Sequence, residues 1–136
     1  GVTIPTIFEI EGEAAFRRRE AALLDELSQL PGIVLATGGG AVLDASTRQR
    51  LRERGMVIYL RATADEVFRR TRRDKSRPLL QTENPRERIE QLLAEREPLY
   101  AETAHLTFQS AASNPKRLVE RLVAHPDVQA LLSAGR

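Results

Sequence analysis

Apolar residues in this chain follow two rhythms, recurring every three or four positions in some stretches and running continuously over four or five in others. From Glu13 to Leu30, Ala15, Phe16, Leu23, Leu24, Leu27 and Leu30 recur near helical spacing, while Arg17, Arg18, Arg19, Asp25 and Glu26 fill the other positions. That pattern predicts an amphipathic helix stopped by Pro31-Gly32, with a short helical turn or two over Thr3 to Glu11 ahead of Gly12. Ile33-Val34-Leu35-Ala36 and Met56-Val57-Ile58-Tyr59-Leu60 are apolar without alternation, which is how strands buried on both faces read. A helix from Ala45 to Arg54, ended by Gly55, lies between them. Thr63 can cap a further helix that has Asp65 and Glu66 in its first turn and Arg69 to Arg73 in its last, matching the helix dipole.

From Asp74 to Asn84 the apolar period disappears apart from Pro78-Leu79-Leu80, and a mobile loop is expected. Asn84-Pro85-Arg86-Glu87 opens the next helix, which turns Ile89, Leu92 and Leu93 inward and is interrupted at Pro98. Leu106-Thr107-Phe108 reads as a third strand, Ser113-Asn114-Pro115 starts a helix through Val123, and Pro126 to Leu132 forms a helical tail. Strands alternating with helices argue for an α/β sandwich around a parallel sheet, in one domain of 136 residues. Three strands make a thin sheet for such a fold.

Composition narrows the function more than the fold. Apolar residues at 41% and charged ones at 29% match an ordinary globular chain and argue against disordered, collagen-like and membrane classes. A net charge of +2 gives no bulk electrostatic case for nucleic acid or membrane partners. With no cysteine, disulfides and thiolate chemistry are excluded, and His105 and His125 are too few and too far apart for an expected histidine metal site. No apolar run approaches the roughly 20 residues that span a bilayer and no signal peptide is visible, so a cytoplasmic location is expected. The cations are lopsided: nineteen of the 21 are arginine, whose planar fork grips carboxylates and phosphates.

Three features could carry chemistry. Thr37-Gly38-Gly39-Gly40 directly follows a predicted strand, where glycines let backbone N–H groups approach an anion; a structural turn is the equally available reading. Arg77 precedes Pro78 in the loop, which restricts its backbone to extended conformations; an arginine on a closing loop can stabilise a transferring phosphoryl group. Arg17 follows Phe16 and has Glu20 three positions on, so the carboxylate could hold its guanidinium, and Arg96 lies beside Pro98. Taken singly, each arginine is a solvated surface cation.

Taken in order, Glu11-Gly12-Glu13 with Phe16-Arg17 and Glu20, Thr37-Gly38-Gly39-Gly40-Ala41, Val57-Ile58-Tyr59-Leu60, Arg70-Thr71, Arg77-Pro78-Leu79-Leu80, and Arg96 with Pro98-Leu99-Tyr100 resemble the shikimate kinase family over roughly Gly1 to Val123. The resemblance implies a three-layer α/β/α sandwich around a parallel sheet, of the P-loop nucleoside-monophosphate-kinase type. It implies transfer of the γ-phosphate of ATP to the 3-hydroxyl of shikimate, with Mg²⁺, in the chorismate route to aromatic amino acids, by a protein monomeric when complete. In that family the arginines matching Arg17 and Arg96 grip the substrate carboxylate, and amides of Gly38, Gly39 and Gly40 bind substrate groups. Arg77 matches an arginine that reaches the phosphates, Arg70 one that lies against adenine, and Pro115 falls where the chain passes the base. Residues 1–31 would be the substrate-binding helices and 74–84 the lid whose closure excludes water.

The family's pattern is not matched throughout. No G-x-x-x-x-G-K-[ST] loop occurs, and neither Lys75 nor Lys116 sits in a glycine-rich loop. The family's Asp-x-Asp segment, the source of its candidate base, has no counterpart either. With Gly at position 1 and Met56 the only methionine, a preceding segment carrying both is expected. The family's phosphate-loop strand would lie between the strand ending in the glycines and the one at Val57 to Leu60. These 136 residues alone are therefore expected to be neither stable nor active as a kinase. Two other readings stand beside this one: a related small-molecule kinase such as a gluconate kinase, against which the Arg17 and Arg96 pair weighs, and a non-catalytic remnant or interaction module.

Overall fold

Gly12 divides the first helix. In the computed structural model, which describes residues 4–71, 84–110 and 114–134 (side chains of 4–11 and 71 excepted), α1 (Ile4–Leu27) is helical on both sides of a glycine with φ 84° and ψ 171°. A side chain there would be strained, so the predicted division at Gly12 has its physical cause in the backbone. The helix stops at Leu27, three residues before the predicted end. Ser28 to Leu30 continue as tight turns, with Leu30 N–H donating to the Leu27 carbonyl at 3.1 Å, and Gly32 at φ 68° ends them. Leu24 is buried, but Leu23 and Leu30 are exposed. The inward face is thus narrower than the apolar spacing predicted.

The glycine triplet opens a 3₁₀ helix, Gly39–Leu43, whose Gly40, Ala41 and Val42 are buried among α1, α2 (Ala45–Arg54) and α4 (Pro85–Thr103). Asp44 links the 3₁₀ helix to α2: its Oδ2 accepts from Thr47 N–H at 2.8 Å and from Thr47 Oγ1 at 2.9 Å. Those bonds, the backbone one first, hold the Asp44 carboxyl below its ordinary value of 3.8. A lowered folded value means that the cap stabilises above the ordinary value and fades as pH falls through the lowered one. Asp44→Ala is expected to cost about 1 kcal/mol at pH 7. Urea midpoints measure it, and the gap to the parent protein should narrow toward pH 3; an equal gap at both pH values would contradict the capping role.

β1 (Ile58–Arg61) and β2 (Leu106–Gln109) pair in parallel, with Ile58 opposite Leu106 and Arg61 opposite Gln109. α3 (Ala64–Thr71) and α4 lie between them in sequence, as the parallel crossover requires. Thr63 Oγ1 accepts from Glu66 N–H at 3.2 Å, so the predicted cap of α3 forms. Asn114 likewise caps α5 (Pro115–Ala124), accepting from Arg117 N–H at 3.1 Å, and α6 (Pro126–Ala134) follows.

Two predicted features are corrected. Ile33 to Ala36 is not a strand: no ladder partner reaches it among the described residues, Ile33 is exposed and Val34 is fully so. An apolar run becomes a strand only where a neighbouring backbone takes up its N–H and C=O groups. α4 also does not break at Pro98 but runs on to Thr103. Pro98 removes one backbone bond at a cost of about 3 kcal/mol. Contacts on both sides of the proline hold the helix through it. Tyr59 Oη donates to Glu97 at 2.5 Å, Tyr100 Oη donates to the Gly39 carbonyl at 3.0 Å, and Arg52 Nη1 donates to the carbonyls of Thr103 and Ala104 at 3.3 and 3.0 Å.

Candidate functional site

α1 and α4 both pack against the 3₁₀ helix that the glycine triplet opens, and each lays an arginine on the triplet. A Cβ added at Gly40 would overlap the Arg17 guanidinium from α1. One added at Gly39 would lie 2.6 Å from Tyr100 Oη and 3.5 Å from Arg96 Nη1, both from α4. Among the described residues only Gly12 and Gly32 have positive φ, so Gly39 and Gly40 are small because side chains occupy the space above them, not because their backbone demands glycine.

Arg17 is held on its own helix. Its Nη1 donates to Glu20 Oε1 at 2.8 Å, as the three-residue spacing predicted, and its guanidinium stands 5.0 Å over the Phe16 ring. Glu13 Oε1 is 3.8 Å from Arg17 Nε, an ion pair too long for a hydrogen bond. Arg17 Nε and Arg96 Nε are both buried without a hydrogen-bond partner. Each orphaned donor costs about 1–3 kcal/mol relative to a satisfied one. The two forks beside one glycine turn suit a carboxylate or a phosphate. A cavity of about 190 Å³ beside Arg17 has walls that include Glu20, Leu24, Gly40 and Thr47.

Behind the triplet, Tyr59 and Tyr100 rings pack at 4.9 Å between centroids, and Glu97 joins Tyr59 Oη to Arg61 Nε, the latter at 3.1 Å. Burial first, and the hydrogen bond to Glu97 second, push the Tyr59 phenol far above its ordinary value, so it remains a proton donor at any physiological pH. Neither tyrosine was assigned a role from the sequence. The signal was the four-residue step from Arg96 to Tyr100, which places both on one face of a helix.

The other predicted residues stand apart. Arg70 Nη2 donates to Ser110 Oγ at 2.9 Å at the end of β2, with Glu66 Oε2 3.8 Å away. Pro115 occupies the first turn of α5. Arg77 and the loop from 74 to 83 lie outside the described residues. Among the described residues no group of three or more His, Cys, Asp or Glu side chains could hold a metal ion. No described helix is long and apolar enough to cross a membrane.

Helices flanking a parallel strand pair, with two guanidinium forks meeting on a glycine turn, define an α/β protein with a candidate anion site. The shikimate kinase family model matches residues 1–126. The shikimate kinase of Nitrosospira multiformis is 56% identical over 122 residues, covering 90% of this chain and 63% of that one. That of Bordetella pertussis is 57% identical over 130 residues, covering 96% and 61%. The chain thus spans under two thirds of the length of these relatives. A solved shikimate kinase from Acinetobacter baumannii, in complex with shikimate, superposes with a TM-score of 0.89 at 45% identity over 98% of this chain and 72% of that one. This chain belongs to the shikimate kinase family.

Proposed function

We propose that the protein phosphorylates shikimate, with residues of this chain forming most of the acid-binding side of the site. The observation that carries this reading is the convergence of Arg17 and Arg96 on Gly39 and Gly40, with both Nε atoms buried and without a hydrogen-bond partner. Planar forks held at two helix faces suit a small carboxylate and fix its orientation as well as its charge. Backbone amides of Gly38 to Gly40 would bind the carboxylate and a ring hydroxyl. In the reaction the 3-hydroxyl oxygen forms a bond to the γ-phosphorus of ATP while the bond from that phosphorus to the bridging oxygen breaks, giving shikimate 3-phosphate, ADP and a proton.

Arg77 is assigned to the phosphates, and Arg70 and Pro115 to the adenine side. The Ser110 hydroxyl gives Arg70 a fixed position from which to serve that role. ATP supplies the phosphoryl group and Mg²⁺ would neutralise its charge, but no residue described here is given the metal. A cytoplasmic, monomeric enzyme acting on a soluble acid fits this reading.

Calorimetric titration of the full-length protein with shikimate and with gluconate tests the substrate. Shikimate is expected to bind at least tenfold more tightly, about 1.4 kcal/mol, and to accept phosphate from ATP. Equal affinity for the two acids would remove the substrate assignment.

A further inference from the structure

Arg96 and Tyr100 stand one helical turn apart on α4, and both reach Gly39. The arginine offers an unpartnered Nε. The tyrosine hydroxyl, by contrast, already has a partner, donating to the Gly39 carbonyl at 3.0 Å. Its ring is wedged against Tyr59, which is itself tied to α4 through Glu97. The phenol therefore has little freedom, and neither does the peptide it holds.

We propose that Tyr100 is a positioning residue for acid binding: its hydroxyl pins the Gly39 carbonyl to α4 and so sets the separation between the Arg96 guanidinium and the Arg17 guanidinium that rests on Gly40. The peptide joining Gly39 to Gly40 is planar, so fixing its carbonyl fixes the direction of the Gly40 N–H on the opposite side. A bidentate clamp tolerates little error, because a shift of about 1 Å between two groups that share one ligand lengthens at least one of their bonds beyond useful range. The sequence conceals this role, since a tyrosine near a helix end reads as core.

The same geometry explains why Gly39 is glycine. Its backbone would accept alanine, but the Cβ would meet Tyr100 Oη at 2.6 Å, while Tyr100 Cζ would remain at an ordinary 3.8 Å. The hydroxyl that pins the loop is thus also the atom that forbids a side chain on it. This inference rests on the proposed acid-binding role of Arg96, and the experiment separates the two.

In the full-length protein, Tyr100→Phe keeps the ring packing and removes only the hydroxyl. It is expected to raise KM for shikimate roughly fivefold, while KM for ATP stays at the parental value and the thermal midpoint falls by no more than the few degrees that one internal hydrogen bond accounts for. Gly39→Ala is expected to weaken shikimate binding more, and Tyr100→Phe added to it should recover part of the loss. The hydroxyl then helps in one background and harms in the other, a reversal that general loss of packing does not produce. Parental KM for shikimate in Tyr100→Phe, or an equal penalty from it in both backgrounds, would overturn the positioning role, provided that Arg96→Ala impairs shikimate binding. If Arg96→Ala binds shikimate as the parent does, the acid-binding reading itself fails, and this inference with it.

Discussion

Arg17→Ala or Arg96→Ala in the full-length protein is expected to weaken shikimate binding roughly hundredfold or more. Each removes hydrogen bonds between a cation and a carboxylate, worth about 1.5–3 kcal/mol apiece, from a turn on which both guanidinium groups already lie. The losses should not add. One remaining fork holds the acid loosely and in more than one orientation, so the double variant should be little worse than either single one. Arg70→Ala is the control: its guanidinium is held on Ser110 at the end of β2, and shikimate affinity should be unchanged. Titration calorimetry reads all four proteins. Parental affinity in both single variants would remove the carboxylate clamp.

Gly40→Ala carries the second large effect and opposes function to stability. The atoms that a Cβ would displace are Cζ and both Nη of Arg17, the far end of a flexible side chain. The chain can therefore accommodate the methyl group by swinging the guanidinium away. Because Gly40 has no positive φ, alanine also restricts the unfolded chain without straining the folded one, a change worth about 0.4–1 kcal/mol in favour of folding. The thermal midpoint should hold or rise while shikimate affinity falls more than tenfold. Combining Gly40→Ala with Arg17→Ala should add little further loss, because both act on the same fork. A fall in midpoint together with intact affinity would show that Arg17 is not what Gly40 makes room for.

The other arginines divide in a way that composition did not show. The family pattern gives anion or nucleotide roles to four of the nineteen and leaves the other fifteen as solvated surface cations. Several of those fifteen are structural. Arg48 Nη1 donates to the Val42 carbonyl at 2.6 Å and so holds the 3₁₀ helix behind the glycine triplet. Arg52 takes up carbonyls at the end of α4. Arg54 Nη1 donates to Asp25 Oδ1 at 2.7 Å, and that bond is the main cause of the lowered Asp25 carboxyl value. α2 thus fastens both the glycine turn and the helix that bears Arg96, using residues that a helical periodicity assigns to solvent.

Local rules written in the sequence determined most element boundaries. Asp44 and Gly55 bracket α2, Thr63 starts α3, Asn84-Pro85 starts α4, Asn114-Pro115 starts α5, and Gly12 divides α1, each through a cap or a backbone preference that needs only its neighbours. The order of motifs also identified the family, because side-chain chemistry at fixed spacing survives without coordinates. What only the tertiary structure decided was whatever depends on partners distant in sequence. Ile33 to Ala36 has strand composition but no ladder neighbour among the described residues, and Pro98 has a helix-breaker's chemistry but Glu97 and Tyr100 anchored on either side of it. The clamp belongs to the same category: Arg17 and Arg96 are 79 positions apart in the chain and meet only because α1 and α4 both pack on the turn that begins at Gly39. Hydrogen bonds and excluded volume act over a few ångströms, and the pairs of residues that come that close are set by the fold.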